Sequence, residues 1–295
     1  MTDDRQRAAS RGTMDDALEI SLRDIGIPPR PAILDRIGQE MHLPEPDFRH
    51  LATLITADVG LAAGLLRVAN SAYFGFQTRA RTVPQALMML GLDVTSRAIA
   101  GLILRRIFRL VPGMDGFWDK SSRVARTSGW VIQHLGGRDG ESADEAYTFG
   151  LFRDCGLAIL LRKFPDYADI IHIADAEGER LYTAIEDAHC PTNHAVVGCL
   201  LAQDWWLPDE TSIAIRHHHD AIAIGAGEAV LSMASAHLVA VAQLSEHLVQ
   251  RATGQYPNRE WDKLGDACLH LLGIDEAAIT ALEREVPPEV VSDLV

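Results

Sequence analysis

The chain is short of cysteine and of positive charge, and each shortage excludes a class of protein. Its four cysteines form no C-x-x-C pair, so neither a disulfide framework nor a zinc ribbon is indicated. The 27 lysines and arginines stand against 41 aspartates and glutamates, and the net charge of −14 gives no general attraction to nucleic acid or to anionic membranes. A binding site for a polyanion would have to be local.

Long uncharged apolar stretches are also missing. The best apolar run, residues 98–111, is interrupted by Arg105, Arg106 and Arg109, and the polar start of the chain contains no apolar core of a signal peptide. We therefore expect a cytoplasmic protein without a membrane span. Because 47% of the residues are hydrophobic and 23% are charged, the 295-residue chain is expected to fold around a substantial core.

Apolar residues recur at helical spacing along most of the chain, and no stretch shows the period-two alternation of strands. The pattern predicts an all-α fold in which Asp47, Asp58 and Thr82 cap helices and Gly91 ends one. Single helices are predicted over about 115–135 and 142–163. We expect a leader over residues 1–25, a compact multi-helix domain over 26–250 and a short helical extension over 251–295 that packs on the domain.

Sequence motifs for a nucleophile or a phosphate-binding loop are missing, since there is no G-x-S-x-G, no Walker A lysine loop and no G-x-G-x-x-G after a strand. The sequence does offer histidines. His217, His218 and His219 are adjacent near the predicted end of a helix, so they cannot share one helix face. Two interpretations stay open: a polar last turn that interacts with the helix dipole, or a pocket that His218 or His219 lines with His194.

Four arginines, Arg97, Arg105, Arg106 and Arg109, lie on or near one predicted helix. Arginines in this pattern usually form a solvated helix face. The alternative, in an acidic chain, is a patch that binds a phosphate or an acidic partner protein.

Several separated segments resemble the signature of the HDOD domain, a signalling output domain related to the HD metal-dependent phosphohydrolases. They are residues 61–75 (LAAGLLRVANSAYFG), 86–92 (ALMMLGL), 150–156 (GLFRDCG), 194–198 (HAVVG) and 215–219 (IRHHH). The resemblance covers about residues 25–245. It implies an HD-like helical fold and a regulatory role exercised through contacts with signalling proteins.

In HD hydrolases an upstream histidine, a His-Asp pair and a later aspartate hold one or two cations. The resemblance places Arg153 and Asp154 at the His-Asp pair, Lys120 at the upstream histidine and Ala240 at the late aspartate. A guanidinium has no lone pair to give and stays protonated. We therefore expect a degenerate site with no catalytic residue, metal or other cofactor. Our hypothesis is that Lys120 and Arg153 supply the positive charge that a metal would place beside Asp154.

Three functions follow from these observations. The first, which we expect, is a non-catalytic module that signals through protein partners. The second is a metal-dependent phosphohydrolase of nucleotides or cyclic dinucleotides, with the metal held by Asp154, His194, His218 and His219. The third is a sensor that binds a small anion in the degenerate pocket by charge-assisted hydrogen bonds. The residues expected to line that pocket are Lys120, Arg153, Asp154, His194, His218 and His219.

Overall fold

The computed structural model describes residues 25–71, 73–109, 111, 114, 116–136, 142–220, 223–224 and 231–291. Within these residues the regular elements are helices and no strand occurs, so the predicted all-α fold class is confirmed. The expected leader over residues 1–25 lies outside the described residues except for its last position.

The helices follow one another through short connections. The first part of the chain forms α1 (Ala32–Met41), α2 (Phe48–Thr56), α3 (Val59–Ala69), α4 (Val83–Ile107), α5 (Phe117–Leu135), α6 (Ala143–Phe152) and α7 (Cys155–Lys163). The second part forms α8 (Tyr167–Ala176), α9 (Tyr182–His189), α10 (His194–Asp204), α11 (Asp209–His217), α12 (Met233–Thr253), α13 (Glu260–Leu272), α14 (Glu276–Glu285) and α15 (Pro288–Val291).

Local sequence signals set several helix ends in the first part of the chain. The side chains of Asp47, Asp58 and Thr82 accept hydrogen bonds from backbone N–H groups in the first turns of α2, α3 and α4. Gly91 interrupts α4 with φ 72° and ψ 176°, a conformation that glycine adopts readily because it has no Cβ. The three predicted caps and the predicted break at Gly91 are therefore confirmed.

The prediction of one helix over residues 142–163 is wrong. Helix α6 ends at Phe152 and α7 begins at Cys155, and Arg153 and Asp154 lie at the break between them. Both side chains turn into the protein, where Arg153 is 3% and Asp154 8% exposed. The break between α6 and α7 therefore places two charged side chains in the protein interior.

Two glycines allow close helix approach beside this break. A Cβ at Gly150 would lie 2.9 Å from the Cα of Ala125, and a Cβ at Gly156 would lie 2.1 Å from the backbone oxygen of His194. Both separations are well below the contact distance of about 3.5–4.0 Å between carbon atoms. Only glycine fits, so α7 crosses the first turn of α10 closely enough to bring Asp154 towards His194.

The helices pack in two connected groups. Helices α1, α2 and α3 pack on α4, whereas α12 is buried along most of its length and contacts α5, α6, α11 and α13. Helix α10 packs between α7 and α11. The C-terminal helices join the same core through Leu264, Cys268, Ile279 and Leu282. The α6–α7 break, α10, the end of α11 and α12 meet in the second group.

Among the described residues, one helix, α4, is long and apolar enough to cross a membrane. Helices α2 and α3 pass the same test as a pair, although they are bent by 117° relative to each other. Half of the α4 segment that passes is buried inside the protein, and the core helix of a folded domain gives the same result.

Candidate functional site

Four buried side chains converge beside the α6–α7 break, and we call them the donor cluster: Asp154, His194, His218 and His219. The Nε2 atom of His194 lies 3.2 Å from that of His218 and 3.1 Å from that of His219. Asp154 Oδ1 lies 3.1 Å from His218 Nε2 and 3.7 Å from His194 Nε2. In the described parts of the chain, this is the one group of three or more His, Cys, Asp or Glu residues whose ligand atoms come this close.

The donor cluster decides between the two interpretations of the adjacent histidines. His218 and His219 are 1% and 6% exposed and lie beyond the end of α11, where both reach the pocket with His194. Of the three adjacent histidines, His217 alone fits a polar last turn of α11, because its side chain is half-buried and lies near Asp220.

In each histidine of the donor cluster, Nδ1 donates a hydrogen bond outwards and Nε2 points inwards. The acceptors are Glu186 Oε2 for His194 at 2.7 Å, the backbone oxygen of Ile215 for His218 at 2.7 Å, and Glu260 for His219. Because carbonyl and carboxylate oxygens only accept, we assign the proton of each neutral ring to Nδ1. The Nε2 lone pairs then face one another, as they do in histidines that bind a metal.

Three inward lone pairs and a carboxylate oxygen at 3.1–3.7 Å repel one another unless a cation lies between them. One proton on an Nε2 atom relieves only part of this repulsion. In a tetrahedral zinc site with bonds of about 2.0–2.1 Å, neighbouring ligand atoms are about 3.3 Å apart. Three of the four separations given above lie within about 0.2 Å of this spacing, the fourth is 3.7 Å, and all four ligand atoms lie within 4.8 Å of one another. The residues present therefore fit one divalent metal ion, and the combination of imidazole and carboxylate suits zinc or a similar transition metal.

Burial and neighbouring charges act on the protonation of the donor cluster. Burial lowers the pKa of His219 well below its usual value and also lowers that of His218, so both imidazoles stay neutral. Burial alone would raise the pKa of Asp154, but Arg153, His218 and Lys120 together outweigh it, hold that pKa well below its usual value and keep the carboxylate ionised. Burial also opposes charge on His194, yet the carboxylate of Glu186 raises its pKa. A metal would displace that proton on binding.

An ion-pair cluster of Lys120, Arg153 and Glu246 lies next to the donor cluster. Lys120 Nζ lies 2.5 Å from Glu246 Oε1, Arg153 Nη2 donates to Glu246, and Arg153 Nε lies 3.3 Å from Asp154 Oδ2. The side chains of Arg153 and Glu246 are 3% and 5% exposed. The two carboxylate oxygens of Asp154 thus have different neighbours. Oδ1 faces the histidines, and Oδ2 faces the guanidinium of Arg153.

Both cations of the charge hypothesis lower the pKa of Asp154, although only Arg153 is in contact with it. Arg153 does place positive charge beside Asp154, whereas the ion-pair partner of Lys120 is Glu246. Burial alone would raise the pKa of Glu246, but Arg153 and Lys120 lower it to about 2, so Glu246 stays ionised. The ion-pair cluster is therefore held by a carboxylate that the sequence reasoning did not include.

Three site carboxylates were not found from the sequence: Glu186, Glu246 and Glu260. The resemblance points to position 240 for a late acid, but Ala240 is a buried apolar residue and the acid that faces the site is Glu246. A signal for Glu246 exists, since it is the only acidic residue of α12, a helix that is otherwise buried and mostly apolar. Glu186 and Glu260 carry no comparable signal.

The four arginines near α4 do not form one free basic face. Arg97 is half-buried and lines a small cavity with Phe74 and Tyr147, while Arg109 is exposed. The other two pair with carboxylates, Arg105 with Asp119 at 3.4 Å and Arg106 with Asp58 at 2.6 Å. The alternative of a basic patch is therefore weakened, because two of the four arginines are paired with carboxylates of the same chain.

Known proteins supply an independent test of the resemblance. A family profile described as the HDOD domain matches residues 27–221, about two thirds of the chain. The chain belongs to the HDOD domain family. The family resemblance inferred from the sequence is therefore confirmed. The match includes Lys120, Arg153 and the whole donor cluster, whereas Glu246 and Glu260 lie beyond it.

Two solved structures share the fold, and one curated protein is similar in sequence. An HDOD domain protein of unknown function from Geobacter sulfurreducens has a TM-score of 0.65 and 22% identity, with 93% of this chain and 97% of that chain covered. A candidate signal transduction protein from Marinobacter aquaeolei has a TM-score of 0.65 and 21% identity, with 91% and 58% covered. An uncharacterised protein from Treponema pallidum is 26% identical over 213 residues, which are 69% of this chain and 40% of that relative. The chain thus spans less than half the length of this curated relative.

Proposed function

We propose that this chain is a signal-transduction module that acts through protein contacts and does not hydrolyse phosphate esters. The observation that carries the proposal is the position of Arg153, whose Nε lies 3.3 Å from Asp154 Oδ2. Two-metal phosphohydrolases clamp the attacking and leaving oxygens between two cations. A guanidinium on the second carboxylate oxygen cannot activate a water as a metal does. Membership of the HDOD family supports the regulatory role, as does the fold shared with a candidate signal transduction protein.

The burial of the donor cluster and the number of its ligand atoms support the same proposal. Its four residues are at most 8% exposed, and together they offer four ligand atoms. Structural zinc sites fill all four positions with protein ligands, whereas catalytic sites keep one position open for water or substrate. A metal held by these residues would tie together the α6–α7 break, the start of α10 and the end of α11. Its contribution would be stability and shape.

Anion sensing in the same pocket has less support. The two cations that would attract an anion, Lys120 and Arg153, are already paired with Glu246 and Asp154. An anion would have to displace a buried carboxylate before it could form charge-assisted hydrogen bonds. Contacts with protein partners are therefore the favoured mode of signalling, and a cytoplasmic location is part of this proposal.

Turnover measurements test the non-catalytic proposal. The purified chain would be incubated with Mg²⁺, Mn²⁺, Fe²⁺ or Zn²⁺ and offered bis(p-nitrophenyl) phosphate, nucleotides and cyclic dinucleotides. We expect no hydrolysis above that of the buffer with metal. Hydrolysis by the wild-type chain that disappears in Asp154→Ala, but persists in a surface control such as Asp262→Ala, would overturn the proposal. Asp262 is suited to this control because its side chain is 52% exposed and pairs with exposed Arg259.

A metal-dependent phosphohydrolase is the second candidate, and the donor cluster is the observation that favours it. Three imidazoles and a carboxylate within 4.8 Å of one another form a ligand set that also occurs in single-metal hydrolases. Catalysis would require one ligand to give way to water or the metal to accept a fifth ligand. Metal content alone does not separate the two candidates, because both bind a cation, so the turnover assay is the deciding measurement.

A further inference from the structure

The C-terminal extension reaches both clusters through residues at the start of α13. Glu260, whose side chain is 3% exposed, accepts the hydrogen bond from His219 Nδ1 and pairs with Lys263 in the same helix. Asn258 donates to Glu246 Oε1 at 2.8 Å and accepts from the backbone N–H of Glu260 at 3.1 Å. Residues 258–260 therefore contact the donor cluster on one side and the ion-pair cluster on the other.

These contacts come from outside the family match, which ends at residue 221. Helix α13 follows α12 after a largely exposed connection that begins at Gly254. It docks on α12 with Leu264 and Cys268 fully buried. The outer acceptors of the other two histidines, Glu186 and Ile215, belong to α9 and α11 within the matched region. His219 is thus the one member of the donor cluster whose Nδ1 partner is supplied by the extension.

We infer that Glu260 is a positioning residue for a divalent metal ion in the donor cluster, and that docking of α13 and metal binding stabilise each other. A carboxylate that accepts from Nδ1–H fixes the ring and raises the basicity of Nε2. A metal on Nε2 in turn makes Nδ1–H a stronger donor. Because the coupling between two binding events is reciprocal, the metal strengthens α13 docking by the same free energy that α13 contributes to metal affinity.

The surroundings of Glu260 and His219 fit this role. Tyr182 stacks on the His219 ring with 4.8 Å between centroids, so the ring plane is held and the Nδ1–H direction is set towards α13. Lys263, whose side chain is 4% exposed, neutralises the buried carboxylate that would otherwise be costly to desolvate. Without α13, Nδ1–H of His219 would lose its acceptor. The inference concerns the donor cluster alone and is independent of whether the chain is catalytic.

Zinc affinity tests the positioning role. The metal-free protein would compete with a chromophoric chelator for Zn²⁺, as wild type, as Glu260→Gln and as Glu283→Gln. Glu283 is the matched control because it lies in the same extension and pairs with Arg251 at the surface at 2.8 Å. Loss of an outer-shell partner typically weakens metal binding by about 10–100-fold, so we expect this loss in Glu260→Gln and none in Glu283→Gln. Circular dichroism of the metal-free variants would verify that both are folded.

Hydrogen exchange of the wild-type protein tests the coupling without any substitution. We expect amides of residues 258–272 to exchange more slowly with Zn²⁺ than without it, while amides of α1 and α2 are unaffected. Three outcomes would overturn the inference: equal Zn²⁺ affinity of Glu260→Gln and wild type, equal exchange of α13 in both states, or no Zn²⁺ binding by wild type. The last outcome would leave the non-catalytic proposal standing, because that proposal is tested by turnover.

Discussion

Arg153→Ala is expected to destabilise the metal-free protein by about 3–5 kcal/mol, the usual cost of removing one partner from a buried ion pair. The guanidinium bonds Glu246 and lies 3.3 Å from Asp154, and the side chains of these carboxylates are 5% and 11% exposed. After truncation, Lys120 still contacts Glu246, but Asp154 Oδ2 loses its counter-charge. The cost therefore arises mainly from Asp154, whose Oδ2 is then buried without the cation that contacted it.

Arg106→Ala is the matched control because it removes the same atoms from an exposed ion pair. The guanidinium of Arg106 lies 2.6 Å from Asp58, but its side chain is 56% exposed. Exposed pairs contribute at most about 1 kcal/mol, since water replaces the lost partner. The difference between the two variants therefore measures mainly what burial adds to the ion pair.

Urea unfolding followed by circular dichroism at pH 7, with a chelator present, measures both variants. A double-mutant cycle with Glu246→Ala adds a second test. The double variant Arg153→Ala/Glu246→Ala should be less destabilised than the sum of the single variants, because each single change already removes the Arg153–Glu246 ion pair and the sum counts that loss twice. If Arg153→Ala and Arg106→Ala unfold within about 0.5 kcal/mol of each other, the buried ion-pair cluster does not exist as described.

Three further outcomes are expected. Gly156→Ala should lower the unfolding temperature and weaken Zn²⁺ binding, because its Cβ would lie 2.1 Å from the backbone oxygen of His194. Burial and nearby carboxylates raise the pKa of Asp175 to about 6, so the wild type loses stability as pH rises towards that value. Asp175→Asn should therefore be up to about 3 kcal/mol more stable than wild type at pH 8 and equal to it near pH 3.5 in urea unfolding. His194→Ala should abolish binding of one equivalent of Zn²⁺ in metal analysis, whereas His189→Ala, whose Nδ1 bonds the backbone of Ile185 at 2.8 Å, should retain it.

Local signals in the sequence were sufficient for the fold class and for several helix starts. Asp47 and Asp58 cap their helices by accepting hydrogen bonds from backbone N–H groups two or three residues later. Donor and acceptor lie in the same short stretch of sequence, so such a cap can be predicted from that stretch alone. The break at Arg153 was not predictable in this way. The residues around it continue a helical pattern, and the contacts that accompany the break are with α10 and α12, which come much later in the chain.

The same limit applies to the site. Residues in recognisable local segments could be predicted from the sequence, whereas residues that only folding brings to the site could not. The resemblance marked Asp154 and the histidines as a group because they lie in recognisable segments. It could not supply Glu186 or Glu260, since a glutamate in an amphipathic helix is typical of a solvated face. Only the assembled packing shows that Glu260, 41 positions after His219, is the acceptor of that ring.

The charges around the site decide how many cations it can hold. In the metal-free state its carboxylates are balanced by three amine or guanidinium groups and by the proton that Glu186 favours on His194. One divalent ion replaces that proton and leaves a single excess positive charge. A second divalent ion would add two more charges in a site where Arg153 and Glu246 are 3% and 5% exposed. Burying uncompensated charge of this size costs many kcal/mol. The guanidinium of Arg153 beside Asp154 therefore opposes a second cation, and we expect metal analysis to find one equivalent of divalent metal at this site.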